Sequence, residues 1–177
     1  MATKNLIKLV EHIPLFKNFT KNDRKKICEM CKLINFKEGD VIFNEGEKDD
    51  SLYIILNGKV KILKSRTDRN ILLAELDKGD FFGEMEILHP SKSGRTASAV
   101  ASSDTELVKI TKEEIDKAIK NSRLYAFKLI HFFAKVLCER LRRMDDAYTQ
   151  LFLEQKGENK IDELKHFREK LIKDWGF

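Results

Sequence analysis

The 177-residue chain has three cysteines, an odd number, and so lacks the even set that a disulfide framework uses. Cys28 and Cys31 form a C-x-x-C, but no second pair of metal ligands accompanies them, and Ile27, Met30, Leu33 and Ile34 around them keep helical spacing. Core packing rather than redox or zinc chemistry is the expected role. His12, His89, His131 and His166 are scattered, without the close pairs that a metal site inside a barrel would want. Also missing is any apolar run near the ~20 residues of a membrane span, because Lys128, His131 and Lys135 interrupt the longest one. Met1-Ala2-Thr3-Lys4 has no signal-peptide core, so a cytoplasmic protein is expected. Charge is not of one sign: 34 Lys and Arg stand against 29 Asp and Glu, a net +5 that is a poor basis for nucleic-acid binding. No nucleophile–base pair or metal-ligand cluster emerges, so neither an enzyme nor a cofactor is expected.

What is present fits one domain with an attached element, and 42% hydrophobic residues suffice for one core. Lys4 to His12 and Lys21 to Leu33 read as short helices, with Thr20 capping the second and Asp23 three residues on. From Leu33 to Ile110 the pattern becomes short strands punctuated by Gly39, Gly46, Gly58 and Gly79, the spacing of a sandwich or barrel. After Thr111, which pairs with Glu114 in a capping-box signature, the chain turns helical. Phe127, Ile130, Ala134, Leu137, Leu141, Met144, Tyr148 and Leu151 make one apolar seam at three-four spacing. That seam favours a homodimer through a long helix, the alternative being a face that covers the protein's own core. Gly157 reads as a helix break, and Ile161 to Trp175 as a further amphipathic helix whose charges nearly cancel.

The stretch from Phe82-Gly83-Glu84 to Arg95-Thr96-Ala97 carries the functional signal. A glycine at a strand end admits close backbone approach and an anion nest. Arginine grips a phosphate with two donors, whereas a carboxylate only accepts, which suits sugar hydroxyls. Gly, Glu and then Arg read as a site for a sugar phosphate.

Phe82-Gly83-Glu84-Met85-Glu86-Ile87-Leu88 followed by Arg95-Thr96-Ala97-Ser98-Ala99-Val100-Ala101 resembles the phosphate-binding cassette of cyclic-nucleotide-binding domains in bacterial catabolite activators, cyclic-nucleotide-dependent kinases and gated channels. Ile13-Pro14-Leu15-Phe16, Phe36 to Gly46 and Asp50 to Val60 are similar to the family's entry segment and first strands, and the resemblance runs from about Ile7 to about Gln155. It implies an α+β fold: an antiparallel double-stranded β-helix, a jelly-roll barrel, flanked by N-terminal helices and a long C-terminal helix. The expected parts are an N-terminal helical segment 1–33, a β-barrel 34–111 with the cassette at 82–97, a hinge and long lid or dimerisation helix 112–155, and an amphipathic helix 156–177.

The resemblance also implies a ligand, cyclic AMP ahead of cyclic GMP, and ligand-binding residues Phe82, Gly83, Glu84, Met85, Arg95, Thr96 and Ala97. Glu84 would accept from the ribose 2′-OH, Arg95 would pair with the cyclic phosphate, and Arg142, Met144 or Asp145 would reach the base from the lid helix. The residues after Gln155 are too few for the family's winged helix-turn-helix, so direct DNA binding is not expected, and a protein effector is a possible partner. The cassette departs from the family pattern in being about two residues longer, in Gly94 where a proline commonly stands, and in Glu86 where a small residue is usual. Glu86 is expected to face solvent, with Lys92 as its partner; a carboxylate facing the phosphate would instead repel it. A non-catalytic nucleotide receptor is the leading reading, and a protein-interaction adaptor with a degenerate nucleotide pocket is the second.

Overall fold

A computed structural model of the chain describes residues 6–7, 9–67, 69–89 and 93–154, apart from the side chains of 148 and 151–154. The helix expected at 156–177 and the residue Lys92 therefore lie outside the described residues. The chain divides into two compact units, Met1–Phe132 and Phe133–Phe177.

In the first unit, Pro14 opens a single 3-10 turn, Pro14–Phe16, that buries Leu15 and Phe16. Proline suits a first helical position, where its missing N–H would have had no partner. Helix α1 (Lys21–Met30) begins with both halves of a capping box: Thr20 Oγ1 accepts from Asp23 N–H at 3.1 Å, and Asp23 Oδ2 accepts from Thr20 N–H at 3.1 Å. The helix stops at Met30 rather than running to Leu33. Cys31 is extended, and Lys32–Phe36 forms strand β1, whose five residues pair with β8, so the sheet outweighs the helical spacing of this stretch. Cys28 is buried, as core packing predicts, and burial pushes its thiol up to about 11.

The remaining strands are β2 (Val41–Phe43), β3 (Ser51–Asn57), β4 (Val60–Arg66), β5 (Arg69–Leu76), β6 (Phe81–Phe82), β7 (Ser98–Ala101) and β8 (Thr105–Thr111). They form two antiparallel four-stranded sheets, β1-β8-β3-β6 and β2-β7-β4-β5. This is the expected jelly roll, although the two sheets do not close into a barrel. Phe43, Tyr53, Ile55, Val60, Phe82, Ala99 and Leu107, drawn from both sheets, make one buried cluster. Alternation sends Leu52, Ile54 and Leu56 to the other face of β3, where they are equally buried.

Between β6 and β7 lies the short helix α2 (Glu84–Leu88), and after β8 come α3 (Lys112–Lys120) and α4 (Leu124–Glu154). Thr111 caps α3 by accepting from Glu114 N–H at 3.4 Å. The opening turns of α4 are anchored in the first unit. Ala126 and Leu129 are buried, the Phe132 ring lies 5.9 Å from Phe81, and Lys128 Nζ donates to Asp23 Oδ2 at 2.8 Å. One oxygen thus accepts from both Thr20 and Lys128. Along the seam Phe127 is exposed in the first unit, and Leu141 and Met144 are exposed in the second. Among the described residues, no helix is long and apolar enough to cross a membrane.

Candidate functional site

The loop between β2 and β3 clamps the far end of the cassette. Gly46 N–H donates to Arg95 O at 2.8 Å, and Arg95 N–H donates to Glu47 O at 2.9 Å, so both peptide groups of Arg95 are fixed. Gly94 explains why no proline precedes the arginine: its φ is +76°, and an added Cβ would lie 2.6 Å from the carbonyl oxygens of Gly46 and Glu47. Proline, locked near −65°, cannot take that conformation. Lys64 of β4 holds the next residue, donating to Thr96 O at 2.5 Å while paired with Glu45 at 2.6 Å.

The Arg95 side chain turns inward and is 3% exposed. Nη2 donates to Asp49 Oδ2 at 2.8 Å and to Ser51 O at 2.6 Å, Nη1 donates to Gly83 O at 3.2 Å, and Cζ lies 4.1 Å over the Phe43 ring. Gly83 makes this possible. Its φ is +83°, and a Cβ there would come within 2.6 Å of Ser51 O and 2.7 Å of Arg95 Nη1. The glycine read as admitting a ligand thus first admits a guanidinium.

The residue missed in the sequence is Asp49. Its Oδ1 accepts from Ser51 Oγ at 2.8 Å and from Lys109 Nζ at 3.3 Å, and its Oδ2 accepts from Tyr53 OH at 2.8 Å besides Arg95. Burial alone would raise this carboxyl, but hydrogen bonds from Arg95, Ser51 and Tyr53 outweigh it and hold the group at about 2. Burial and the bond to Asp49 push the Tyr53 phenol up. The only hint was an acidic pair before a strongly apolar strand, which reads equally well as a turn.

The other cassette residues divide between buried and exposed positions. Phe82 is buried and stacks on Tyr53 at 5.2 Å, and Glu84 and Ala97 are buried. Met85 and Thr96 are exposed, with Thr96 Oγ1 3.9 Å from Met85 Sδ. Glu86 corrects the reading that turned it to solvent: it is 6% exposed, on a five-residue helix that also buries Glu84 and Ile87. Met85 takes the solvent-facing position of this helix, whereas Glu84, Glu86 and Ile87 turn toward a surround in which β6, Gly94, Arg95 and Ala97 are buried. Arg142, Met144 and Asp145 are exposed on α4 and belong to the second unit.

Among the described residues, two buried side-chain polar atoms have no hydrogen-bond partner, Arg24 Nε and Arg95 Nε. A buried N–H without an acceptor is disfavoured by about 1–3 kcal/mol, so Arg95 offers an unmet donor suited to an anion. No group of three or more His, Cys, Asp or Glu among the described residues is placed to hold a metal ion. A cavity of about 580 Å³ lies away from the cassette, lined by Asn22, Lys26 and Met30 of α1 and by Lys117, Arg123 and Tyr125. None of the cassette residues lines it.

Residues 33–122 match the model of the family described as "Cyclic nucleotide-binding domain". The chain is 35% identical over 121 residues to the cyclic AMP receptor protein of Thermus thermophilus, covering 68% of this chain and 53% of that protein. It is 28% identical over 103 residues to the cAMP-dependent protein kinase regulatory subunit of Mycosarcoma maydis, covering 58% of this chain and 20% of that one. The chain thus spans at most about half the length of these relatives. Among solved structures, a cyclic nucleotide-binding domain from Methylobacillus flagellatus superposes with a TM-score of 0.71 at 22% identity, over 89% of this chain and 86% of that one.

Proposed function

The chain belongs to the cyclic nucleotide-binding domain family, and from that premise we propose that it is a non-catalytic receptor for a cyclic purine nucleotide, cyclic AMP ahead of cyclic GMP. The observation that carries the reading is the buried, unpartnered Nε–H of Arg95 within a cassette whose backbone is clamped on both sides. In this reading Arg95 holds the cyclic phosphate, and backbone N–H groups next to Gly83 add donors. Glu84 accepts from the ribose 2′-OH, and Phe82, Met85, Thr96 and Ala97 complete the wall. Two similarities to cyclic-AMP proteins support the choice of ligand.

We propose further that residues 112–155 couple the site to output. The exposed Phe127, Leu141 and Met144 support a homodimer through the long helix, and Arg142, Met144 or Asp145 would meet the base. Coupling requires that ligand bind one helix arrangement better than another. A cytoplasmic setting and a protein effector fit this role. Light scattering reads the dimer directly, and a monomer at high micromolar concentration removes that part of the proposal.

A second reading, an interaction adaptor with a degenerate pocket, is favoured by one observation: the charge of Arg95 is already matched by Asp49. Calorimetry with cyclic AMP and cyclic GMP separates the two. The receptor reading expects saturable heat, and a loss of at least about 1.5 kcal/mol in Arg95→Ala or Arg95→Lys, the low end for a charged hydrogen bond. Glu84→Gln should weaken binding of the ribonucleotide but barely change that of its 2′-deoxy analogue. No heat with either nucleotide leaves the adaptor.

A further inference from the structure

We propose that Asp49 is an internal stand-in for the ligand's anion on Arg95, and that Lys109 is the cation that keeps Asp49 matched when the two part. The inference rests on the nucleotide reading of the cassette and adds a residue that sets the affinity of that site. Asp49 Oδ2 sits 2.8 Å from Nη2, where a phosphate oxygen would sit, and Ser51 O takes that nitrogen's other hydrogen at 2.6 Å. While Asp49 holds, Nη2 has no donor left for a ligand. The pair is also well shielded, with side chains 2% and 17% exposed, so its attraction is little screened by salt.

Release of Arg95 does not strand the carboxylate. Ser51 Oγ, Tyr53 OH and Lys109 Nζ already donate to it. Lys109 stands opposite Tyr53 in the β3–β8 ladder, and its ammonium lies 5.3 Å from the Tyr53 ring, so the sheet itself keeps it within reach. Nor does the guanidinium need Asp49 to be held, since Gly83 O, Ser51 O and the Phe43 ring support it independently. Ligand entry then exchanges one N–H···O⁻ contact for another. No proton moves, and both anions end beside a cation.

The test is calorimetry of the full chain with cyclic AMP and cyclic GMP for the wild type, Asp49→Asn, Lys109→Met and the double variant. Asp49→Asn should tighten binding by about threefold or more, and Lys109→Met should weaken it by a similar factor, because Asp49 then clings to Arg95. In the Asp49→Asn background the Lys109→Met effect should fall within about twofold, since the coupling runs through the carboxylate. A merely structural Asp49 would weaken binding on substitution, and that result, unchanged affinity, or an undiminished Lys109 effect in the double variant overturns the inference. Where Asp49→Asn fails to fold, Lys109→Met against Lys109→Arg decides. Weakening by Met alone supports the exchange, and equal affinities overturn it. Binding that depends on Arg95 but is not tightened by Asp49→Asn defeats this inference alone. No binding by either wild type or Asp49→Asn at millimolar nucleotide defeats the nucleotide reading and this inference with it.

Discussion

Strands β3 and β5 read much alike, Ser-Leu-Tyr-Ile-Ile-Leu-Asn against Arg-Asn-Ile-Leu-Leu-Ala-Glu-Leu, yet they meet opposite surroundings. β3 lies between β8 and β6 and buries its first six residues; β5 is an edge strand with β4 as its neighbour, and Ile71, Leu72 and Leu73 are 39%, 52% and 56% exposed. Apolar content therefore does not decide burial here; place in the sheet does. The central strand also carries the chemistry, since Asp49 precedes it, Ser51 and Tyr53 lie in it, and Gly83 comes directly after its neighbour β6. Both strands carry a register irregularity, β3 at Leu56 against β8 and β5 at Leu73 against β4. Ile62 pairs with Ala74 and Leu63 with Leu72, leaving Leu73 without an opposite number, a feature that keeps an exposed edge from templating further strands.

The contrast is most sharply tested by truncation. Ile54→Ala should destabilise the fold by about 2–5 kcal/mol, whereas Leu72→Ala should stay within about 0.5 kcal/mol, both read by denaturant titration. Comparable losses at the two sites would mean that β5 is covered in solution, and the contrast would fail. Next in size is Gly83→Ala. A left-handed φ costs a non-glycine residue about 1–2 kcal/mol, and the added Cβ would also press on Ser51 O and the Arg95 guanidinium. The total should approach about 3 kcal/mol, with weaker nucleotide binding; wild-type stability in this variant would contradict the close contact.

The smallest effect is a pH dependence on the β3 side. The folded pKa of Asp49, about 2, lies below the value of about 3.9 expected for an unfolded aspartate. Its stabilisation is therefore fully present above about pH 4 and lost as pH falls toward 2, at most about 2 kcal/mol. Asp49→Asn should remove that part of the acid slope, as measured by urea midpoints between pH 2 and 5. An unchanged slope would show that Asp49 is not held by Arg95 in solution.

Much of this was legible in the chain. Thr20 with Asp23, Thr111 before Glu114, and the glycines at turns are local signals, and each acts where its spacing puts it. The cassette was legible because Gly83 and Arg95 flank one short connection. What escaped depends on partners distant in sequence. Asp49 is 46 positions from Arg95 and 60 from Lys109, and nothing local distinguishes it from Asp50. The Cys31-Lys32-Leu33 stretch kept helical spacing, but its fate was set by β8, more than seventy residues on. Glu86 escaped for a related reason, since a charged side chain read alone is placed in water until its neighbours are known.

Asp23 Oδ2 serves two masters, closing the first turn of α1 and receiving Lys128 from α4. Burial would raise that carboxyl, but the Lys128 and Thr20 bonds prevail and lower it, so the oxygen stays an anion and neither donor has to be sacrificed to the other. Fraying of the N-terminal helix and loosening of the long helix at Lys128 are therefore not independent motions. A fluctuation that opens one removes half the coordination of the atom that secures the other, and amide hydrogens in the two segments should exchange with solvent as a single cooperative unit.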